Sequence, residues 1–272
     1  MALAGVASAA AASDYRWQPA AQGGIPADTL ARRFAPPPGF ARVAAAPGSF
    51  AAWLRGLPLK AAGAPVLLHT GAPKLRQDVH AAVIDIDVGT RDLQQCADAV
   101  MRLRAEWLFA SNRGRDIAFN DTGSAKPIAF SRWAGGERPR SNGGALSWSR
   151  SARPDAGYAS FRRYMDAVFA YAGTYSLERE LAPVAVAGIA PGDVFIKGGF
   201  PGHAVLVADV AVHAATGETR FLLLQSFMPA QDIHVLKNPH SADGSPWYPL
   251  AFSDRLITPE WVFARESLRR WR

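Results

Sequence analysis

The residues most able to do chemistry in this chain are a cysteine and a histidine that lie far apart in sequence. Cys96 is the only cysteine among the 272 residues and lies in the stretch LQQCADAV. His203 follows the residues GGFPG and begins the apolar stretch HAVLVADVAV. A thiol beside an imidazole can attack a carbonyl carbon, because the imidazole removes the thiol proton and later returns it to the leaving group. The two residues are therefore a candidate nucleophile and base.

A catalytic imidazole normally needs a third polar group that holds its orientation. Gln225 ends the apolar stretch LLLQS. If residues 203–212 and 219–226 pair as a hairpin around the turn HAATGET, Gln225 lies at the same end of the hairpin as His203. The sequence therefore predicts that Gln225 orients the imidazole.

The developing oxyanion needs hydrogen-bond donors close to the thiol. Gln95 precedes Cys96, and Ser226 follows Gln225, so both are candidates together with backbone amides near Cys96. The alternative for Cys96 itself stays open. It lies on an apolar stripe with Val100 and residues 93, 103 and 107, and a lone cysteine on such a stripe can equally be an inert core residue. His203 taken alone is also compatible with a purely structural role.

The elements that must position these residues read as helix followed by strands. The stretch TRDLQQCADAVMRLRAEWLFAS predicts a helix, with Thr90 or Asp92 as its cap. After a second helix, YASFRRYMDAVFAYAG, the chain has the strand-like segments GDVFIKGG, GHAVLVADVAV, TRFLLLQSF and DIHVLKN. Helices followed by a run of strands predict an α+β fold in which the cysteine helix packs on an antiparallel meander.

The remaining segments complete the predicted domain. Ser49 is expected to cap a short helix, FAAWLRGL, and PVLLHTG, DVHAAVIDIDVG and DIAFND read as strands. The aromatic C-terminal stretch SPWYPL to ESLRRW is expected to end in a closing helix. Residues 1–34, rich in Ala, Pro and Gly, are expected to lie outside the core, and residues 35–272 to form a single domain.

Residues 121–155 are polar and are predicted to form an insertion over the surface. Trp133, Trp148 and Arg138 within it, together with Phe200 before His203, are candidate contacts for a substrate. The alternative for the insertion is a surface loop that its own aromatic side chains hold down.

Composition narrows the classes of function. The formal charge of +7, from 30 basic and 23 acidic residues, comes without a nucleic-acid-binding motif, so no nucleic-acid partner is expected. No run of 18 or more apolar residues is present, so no membrane span is expected. A single cysteine excludes an internal disulfide and a cysteine-based zinc site. His80 is expected on the opposite strand face from Asp85 and Asp87, so no metal and no other cofactor is predicted.

The start MALAGVASAAAASDYRWQPA has the small apolar residues of the later part of a secretory signal but lacks its basic beginning. We interpret it as a shortened signal peptide, with a disordered tail as the alternative. A signal peptide would place the protein in the periplasm or at the cell envelope.

The stretch GDVFIKGGFPGHAVLV resembles the histidine segment of NlpC-type cell-wall peptidases, and the order of Cys96, His203 and Gln225 resembles papain-like and transglutaminase-like proteins. The Asp-Cys-Ser-Gly helix start of the NlpC-type enzymes is replaced by LQQCADAV, and the third position is Gln instead of His or Asp. The blocks QDVHAAVIDIDVG and PGHAV, among others, also resemble a bacterial family described as domain of unknown function 4846.

The resemblance implies a papain-like core and a cysteine hydrolase or acyltransferase acting on amide bonds, with peptidoglycan peptides as the substrate class. The alternative is a non-catalytic periplasmic domain of the same fold that binds a glycan or a peptide. The oligomeric state does not follow from the sequence.

Overall fold

The fold is organised around one large antiparallel sheet. The computed structural model describes residues 15–18 and 28–272. Helices pack on one face of the sheet, and the C-terminal segment packs on the other. The helices are α1 (Leu30–Arg33), α2 (Phe50–Arg55), α3 (Cys96–Ala110), α4 (Phe130–Ala134), α5 (Tyr158–Tyr171) and α6 (Thr174–Glu180).

The strands are short apart from those at the centre of the sheet. In chain order they are β1 (Phe40–Arg42), β2 (His80–Val83), β3 (Ala118–Asn120), β4 (Pro127–Ala129), β5 (Glu137–Asn142), β6 (Ala145–Arg150), β7 (Ala182–Pro183), β8 (Val194–Lys197), β9 (His203–His213), β10 (Thr219–Gln225), β11 (His234–Leu236), β12 (Tyr248–Pro249), β13 (Arg255–Ile257), β14 (Val262–Ala264) and β15 (Leu268–Arg270).

The large sheet has the order β2-β11-β10-β9-β8-β15-β7, with β1 also paired to β9 and β12 to β10. Strands β8 to β11 are the four predicted ones and form the predicted meander. Lys197 lies opposite His203, and Gln225 lies opposite His234. A bulge between Leu222 and Leu223 shifts the pairing of β9 with β10. The ends of β9, β10 and β11 therefore meet at one edge of the sheet.

The two faces of β9 pack against different parts of the chain. Ala204, Leu206 and Ala208 belong to the core that includes α3, and the small alanines allow the helix to approach the strand closely. Val205 and Val207 belong to the core on the other face, with Phe263 and Leu268 from the C-terminal segment among its members. Alternation of side chains along a strand produces this division.

Helix α3 begins at Cys96, later than the predicted start at residues 90–92. Gln95 is its N-cap, and Oδ2 of Asp98 accepts a hydrogen bond from the backbone N–H of Gln95 at 3.0 Å. Asp92, one of the two predicted caps, instead accepts the backbone N–H of Ala230 at 2.7 Å. The position of the cap matters because it makes Cys96 the first residue of the helix.

Several local predictions hold. Ser49 caps α2, with its Oγ accepting from Ala52 N at 3.2 Å. Helix α5 and strand β3 lie where predicted. The stretch PVLLHTG, however, is not a strand: Leu67 and Leu68 make only isolated bridges, to Pro73 and Gln231.

The predicted closing helix at the C-terminus is wrong. The segment forms β13, β14, a short 3-10 turn and β15. Leu256, Phe263 and Leu268 are buried against the sheet, and Leu268 pairs with Phe195 of β8. Isolated buried residues flanked by exposed ones suit edge strands, whereas a packed helix would need a continuous apolar stripe.

The expectation that residues 1–34 lie outside the core is also wrong for two of the described residues, Tyr15 and Leu30. Leu30 is fully buried, and Tyr15 packs on Trp53, whose carbonyl accepts a hydrogen bond from the Tyr15 hydroxyl at 2.7 Å. The leader-like residues 1–14 lie outside the described part of the chain.

Candidate active site

The start of α3 carries Cys96 to the end of β9. Backbone N–H groups of Ala97 and Ala204 face the sulfur and favour its thiolate. The first turn of a helix also favours negative charge, because its amides are unpaired and the helix dipole is positive there. Ala204 directly follows His203, so the sulfur lies beside the backbone that carries the candidate base.

Burial opposes ionisation of the thiol. Cys96 is 8% exposed. Loss of solvent, together with the nearby Asp98 carboxyl, raises the pKa of Cys96 to about 11, against the lowering effect of the backbone amides. At neutral pH the resting sulfur is therefore a protonated thiol.

His203 and Gln225 are in direct contact. Nε2 of His203 and Oε1 of Gln225 are 2.9 Å apart, and both side chains are buried. The contact arises because β9 and β10 are antiparallel neighbours and both residues stand at the same end of the pair. The predicted proximity of the histidine and the glutamine is confirmed.

Aromatic rings enclose the His203 imidazole. The centroid of Phe227 lies 4.8 Å from it, that of Trp261 5.3 Å and that of Phe263 5.7 Å. This burial lowers the pKa of His203 to about 4; the hydrogen bond to Gln225 acts in the opposite direction, and the charge of Lys74 adds to the lowering. The resting imidazole is therefore neutral.

The thiol and the imidazole do not touch in this structure. Within residues 15–18 and 28–272, no hydrogen bond joins Cys96 to His203 and none involves Nδ1 of His203. His203 as a whole is 1% exposed, so this nitrogen has very little contact with solvent. The structure thus brings the sulfur to the backbone of β9 from the face on which α3 packs, whereas the His203 ring lies on the other face of the strand, against Phe227, Trp261 and Phe263.

The two side chains expected to help bind an oxyanion have other partners. Gln95 donates through Nε2 to Oδ1 of Asp92 at 3.1 Å. The Ser226 hydroxyl is fully buried and lies 2.9 Å from the carbonyl of Gln231 and 3.3 Å from that of Gln94. A hydroxyl has one proton to donate. Because that proton is directed at a backbone carbonyl, none is left for an oxyanion, and the expectation that Ser226 donates to one is wrong in this structure.

The predicted surface insertion is only partly at the surface. Residues 127–134 form β4 and α4, and Trp133 is buried with its Nε1 donating to Ser160 Oγ at 3.1 Å. Arg138 stacks on Trp133 at 3.9 Å, and Arg132 stacks on the half-buried Trp148 at 4.4 Å. The β5–β6 hairpin alone projects. Trp133 is thus a core residue, and the prediction that it contacts substrate is wrong because its ring is enclosed.

The candidate site contains residues that sequence reasoning missed or left aside. Gln225 Nε2 donates to Oε2 of Glu260 at 2.8 Å, and Lys74 Nζ lies 2.5 Å from the same oxygen. His234, which follows DI in the stretch DIHVLKN, lies 3.4 Å from Gln225 Nε2. No spacing could have revealed Lys74 or Glu260, since 186 positions separate them.

Exposed apolar side chains stand beside this cluster. Phe200, in the turn before His203, is 88% exposed. Met228, next to Phe227, is 51% exposed, and Leu75, next to Lys74, is 98% exposed. Solvent-exposed apolar residues on three loops that border one site are typical of a binding surface.

A groove of about 620 Å³ runs beside the loop that leads to α3. Its lining includes Lys60, His69, Asp85, Asp87 and Asp232. Lys60 pairs with Asp232 at 2.8 Å. Among these ionisable residues three aspartates stand against one lysine and one histidine, so acidic groups predominate in the groove.

Comparison with protein families gives one match. The model of a family described as a domain of unknown function (4846) matches residues 30–270. A search of the curated proteins found no match, and a search of the solved structures found none. Across the residues that the structure describes, no helix is long and apolar enough to cross a membrane.

Proposed function

The chain belongs to the family of domain of unknown function 4846, and from the residues of its candidate site we propose that it is a cysteine hydrolase or acyltransferase acting on amide bonds. Cys96 is the nucleophile, His203 the base and then the acid, and Gln225 the group that orients the imidazole. The observation that carries the proposal is the His203–Gln225 hydrogen bond next to a cysteine at the first position of a helix.

The proposed reaction has two steps. As the Cys96 sulfur bonds to the carbonyl carbon, its proton passes to Nδ1 of His203, after a movement that brings the two side chains to the same side of β9. His203 then gives this proton to the departing amine as the C–N bond breaks, which leaves a thioester. Water, or an acceptor amine, attacks the thioester and restores the thiol. Because both groups are neutral at rest, proton transfer accompanies attack, and no ion pair precedes it.

The structure offers donors for the oxyanion of this reaction. The backbone amides of Cys96 and Ala97 lie at the open end of α3, where no helical carbonyl satisfies them. Donors of this kind stabilise the charge that develops on the carbonyl oxygen. They take the role that the sequence assigned in part to Gln95 and Ser226.

The order of elements supports a papain-like core as part of the proposal. A helix begins with the cysteine, the next long strand begins with the histidine, and its hairpin partner ends with the glutamine. The exposed Phe200 and Met228 beside the site support a peptide substrate, with peptidoglycan peptides as the class if the leader-like start directs the chain to the cell envelope.

One observation favours the rival function, a non-catalytic domain that binds a glycan or a peptide. The thiol is buried and its pKa is raised to about 11, as for an inert core cysteine. Both functions predict the same fold, so the reactivity of Cys96 separates them.

The experiment is acylation by p-nitrophenyl acetate at pH 7.5, followed by intact mass and peptide mapping. The enzyme predicts one acetyl group on Cys96 in the folded protein, none in Cys96→Ala, and a rate at least about a hundredfold lower in His203→Ala, the range of general base catalysis. His240→Ala, which removes an exposed histidine, is the matched control and should react like the wild type. Acylation of Cys96 only after unfolding would overturn the proposal in favour of the binding domain.

A further inference from the structure

The buried amide of Gln225 lies between four other polar side chains. Its Oε1 is 2.9 Å from Nε2 of His203, and its Nε2 is 2.8 Å from Oε2 of Glu260 and 3.4 Å from Nε2 of His234. Lys74 completes the set through Glu260. Each neighbour has a limited ability to donate or accept, so the positions of the protons can be worked out from chemistry.

Glu260 determines which way the amide points. An ionised carboxylate can only accept hydrogen bonds. Lys74 Nζ lies 2.5 Å from the same Glu260 oxygen and donates to it, so this oxygen is an acceptor on both sides. The Gln225 atom beside Glu260 must therefore be the NH₂ group, and the carbonyl oxygen must face His203. The opposite orientation would place two oxygens 2.8 Å apart with no proton between them.

His234 imposes the same orientation independently. Its Nδ1 lies 2.9 Å from the backbone carbonyl of Asp232, which can only accept. Nδ1 of His234 therefore carries the proton, and Nε2 presents a lone pair to Gln225. Burial lowers the pKa of His234 to about 3, so the ring stays neutral. The second hydrogen of the Gln225 NH₂ group is thus directed at His234.

With both amide hydrogens assigned, the proton on His203 is assigned as well. We infer that Glu260 and His234 are positioning residues that act through Gln225 to hold His203 as the tautomer with its proton on Nε2. The lone pair then lies on Nδ1, for which no described residue supplies a hydrogen bond. The base role of this nitrogen rests on the proposed function, whereas the tautomer does not.

This arrangement removes a disadvantage of glutamine as the residue that orients a catalytic imidazole. An aspartate can only accept, so it selects the tautomer by itself, but an amide can rotate and offer either end. The wrong tautomer of a catalytic histidine costs about 10⁴ in kcat where it has been imposed. Glu260 and His234 together remove the freedom of the amide, and Lys74 donates to the Glu260 oxygen that the amide faces.

The test is the tautomer of each histidine, read from long-range ¹H–¹⁵N correlations of ¹⁵N-histidine-labelled protein at pH 7. We expect His203 to carry its proton on Nε2 and His234 on Nδ1 in the wild type. A proton on Nδ1 of His203, or an imidazolium, would overturn the inference with no variant needed. Resonances are assigned with His203→Asn and His234→Asn.

Two variants test the cause. In Lys74→Glu/Glu260→Lys the charges exchange places, so an ammonium faces Gln225, the amide must rotate, and the proton of His203 should move to Nδ1. In Lys74→Met/Glu260→Met the pair becomes apolar at similar volume, and both tautomers of His203 should coexist. The Nδ1 proton of His234 depends on Asp232, so it should stay in the apolar variant and shows that the site remains folded. An unchanged His203 tautomer in both variants would refute the role of Glu260.

Acylation of the same samples separates this inference from the proposed function. If His203 has the expected tautomer but Cys96 is never acylated, the proposed enzyme fails and the positioning network stands. If acylation occurs with the other tautomer, the network fails and the enzyme stands. If both hold, the charge-exchanged variant should acylate at least tenfold more slowly than the wild type.

Discussion

Asp98 allows the most quantitative prediction about stability. It lies in the first turn of α3 and is 7% exposed. Its Oδ2 accepts the backbone N–H of Gln95, but its Oδ1 has no partner and no solvent. Burial raises the pKa of Asp98 from 3.8 to about 8, against the lowering effect of that hydrogen bond. The folded protein therefore holds a neutral carboxyl at pH values where the unfolded chain is ionised.

The sign and the size of the effect follow from linkage. A raised pKa in the folded state gives stability that is complete below about pH 4 and is lost as the pH rises through about 8. Each pH unit in this window costs about 1.4 kcal/mol. Between pH 5 and pH 8, with the levelling near the folded pKa included, the loss is about 3.5 kcal/mol.

Asp98→Asn removes the titration while its side-chain oxygen can still accept from Gln95. We expect the free energy of unfolding of Asp98→Asn, minus that of the wild type, to grow by about 3.5 kcal/mol from pH 5 to pH 8. Urea unfolding at four pH values measures this difference, and the contributions of His203 and His234 cancel in it.

Asp92→Asn is the matched control. The backbone N–H of Ala230 lowers the pKa of Asp92, so this carboxyl is ionised in both states above pH 5. Its difference from the wild type should be constant from pH 5 to pH 8. A constant difference for Asp98→Asn as well would refute the reasoning, because it would mean that Asp98 is ionised inside the folded protein.

Two further predictions concern the supports of the site. Arg102 is fully buried and its Nε donates to Glu106 at 2.6 Å, so Arg102→Met leaves a buried carboxylate unpaired and should lower the free energy of unfolding by about 3–5 kcal/mol in urea. Arg113→Met, which breaks an exposed pair with Asp116, should cost under about 1 kcal/mol, and equal losses would contradict the argument. In Gly202→Ala the new Cβ would lie 2.3 Å from Thr174 Oγ1 and 2.6 Å from the Gly199 carbonyl, so the turn before His203 must move and acylation should slow at least tenfold. The control is Gly217→Ala, at φ +72° in open space, which should lower the free energy of unfolding by only about 1 kcal/mol and leave the acylation rate unchanged. A wild-type acylation rate for Gly202→Ala would show that the turn does not position His203.

Local patterns were enough to predict the central meander. β9 and β10 are long, apolar and bounded by turn residues, so their pairing follows from short-range signals, and with it the contact of His203 with Gln225. The same reasoning failed at the C-terminus, where β13, β14 and β15 are short and each has a single buried residue. β15 forms because the large sheet offers a partner strand, and β13 and β14 pair with each other while their buried residues pack on the face of that sheet, a context that is not local.

The sequence by itself determined which residues could do chemistry and the end of the sheet where two of them meet. It could not determine the ionisation of Cys96, because the thiol pKa depends on burial and on Asp98, whose own state depends on burial. It could not reveal Lys74 and Glu260, since only the closure of the whole domain brings together charges 186 positions apart. Tertiary structure decided how the candidate base is held, because hydrogen bonds depend on distance and direction in space, and these are set by packing across elements that lie far apart along the chain.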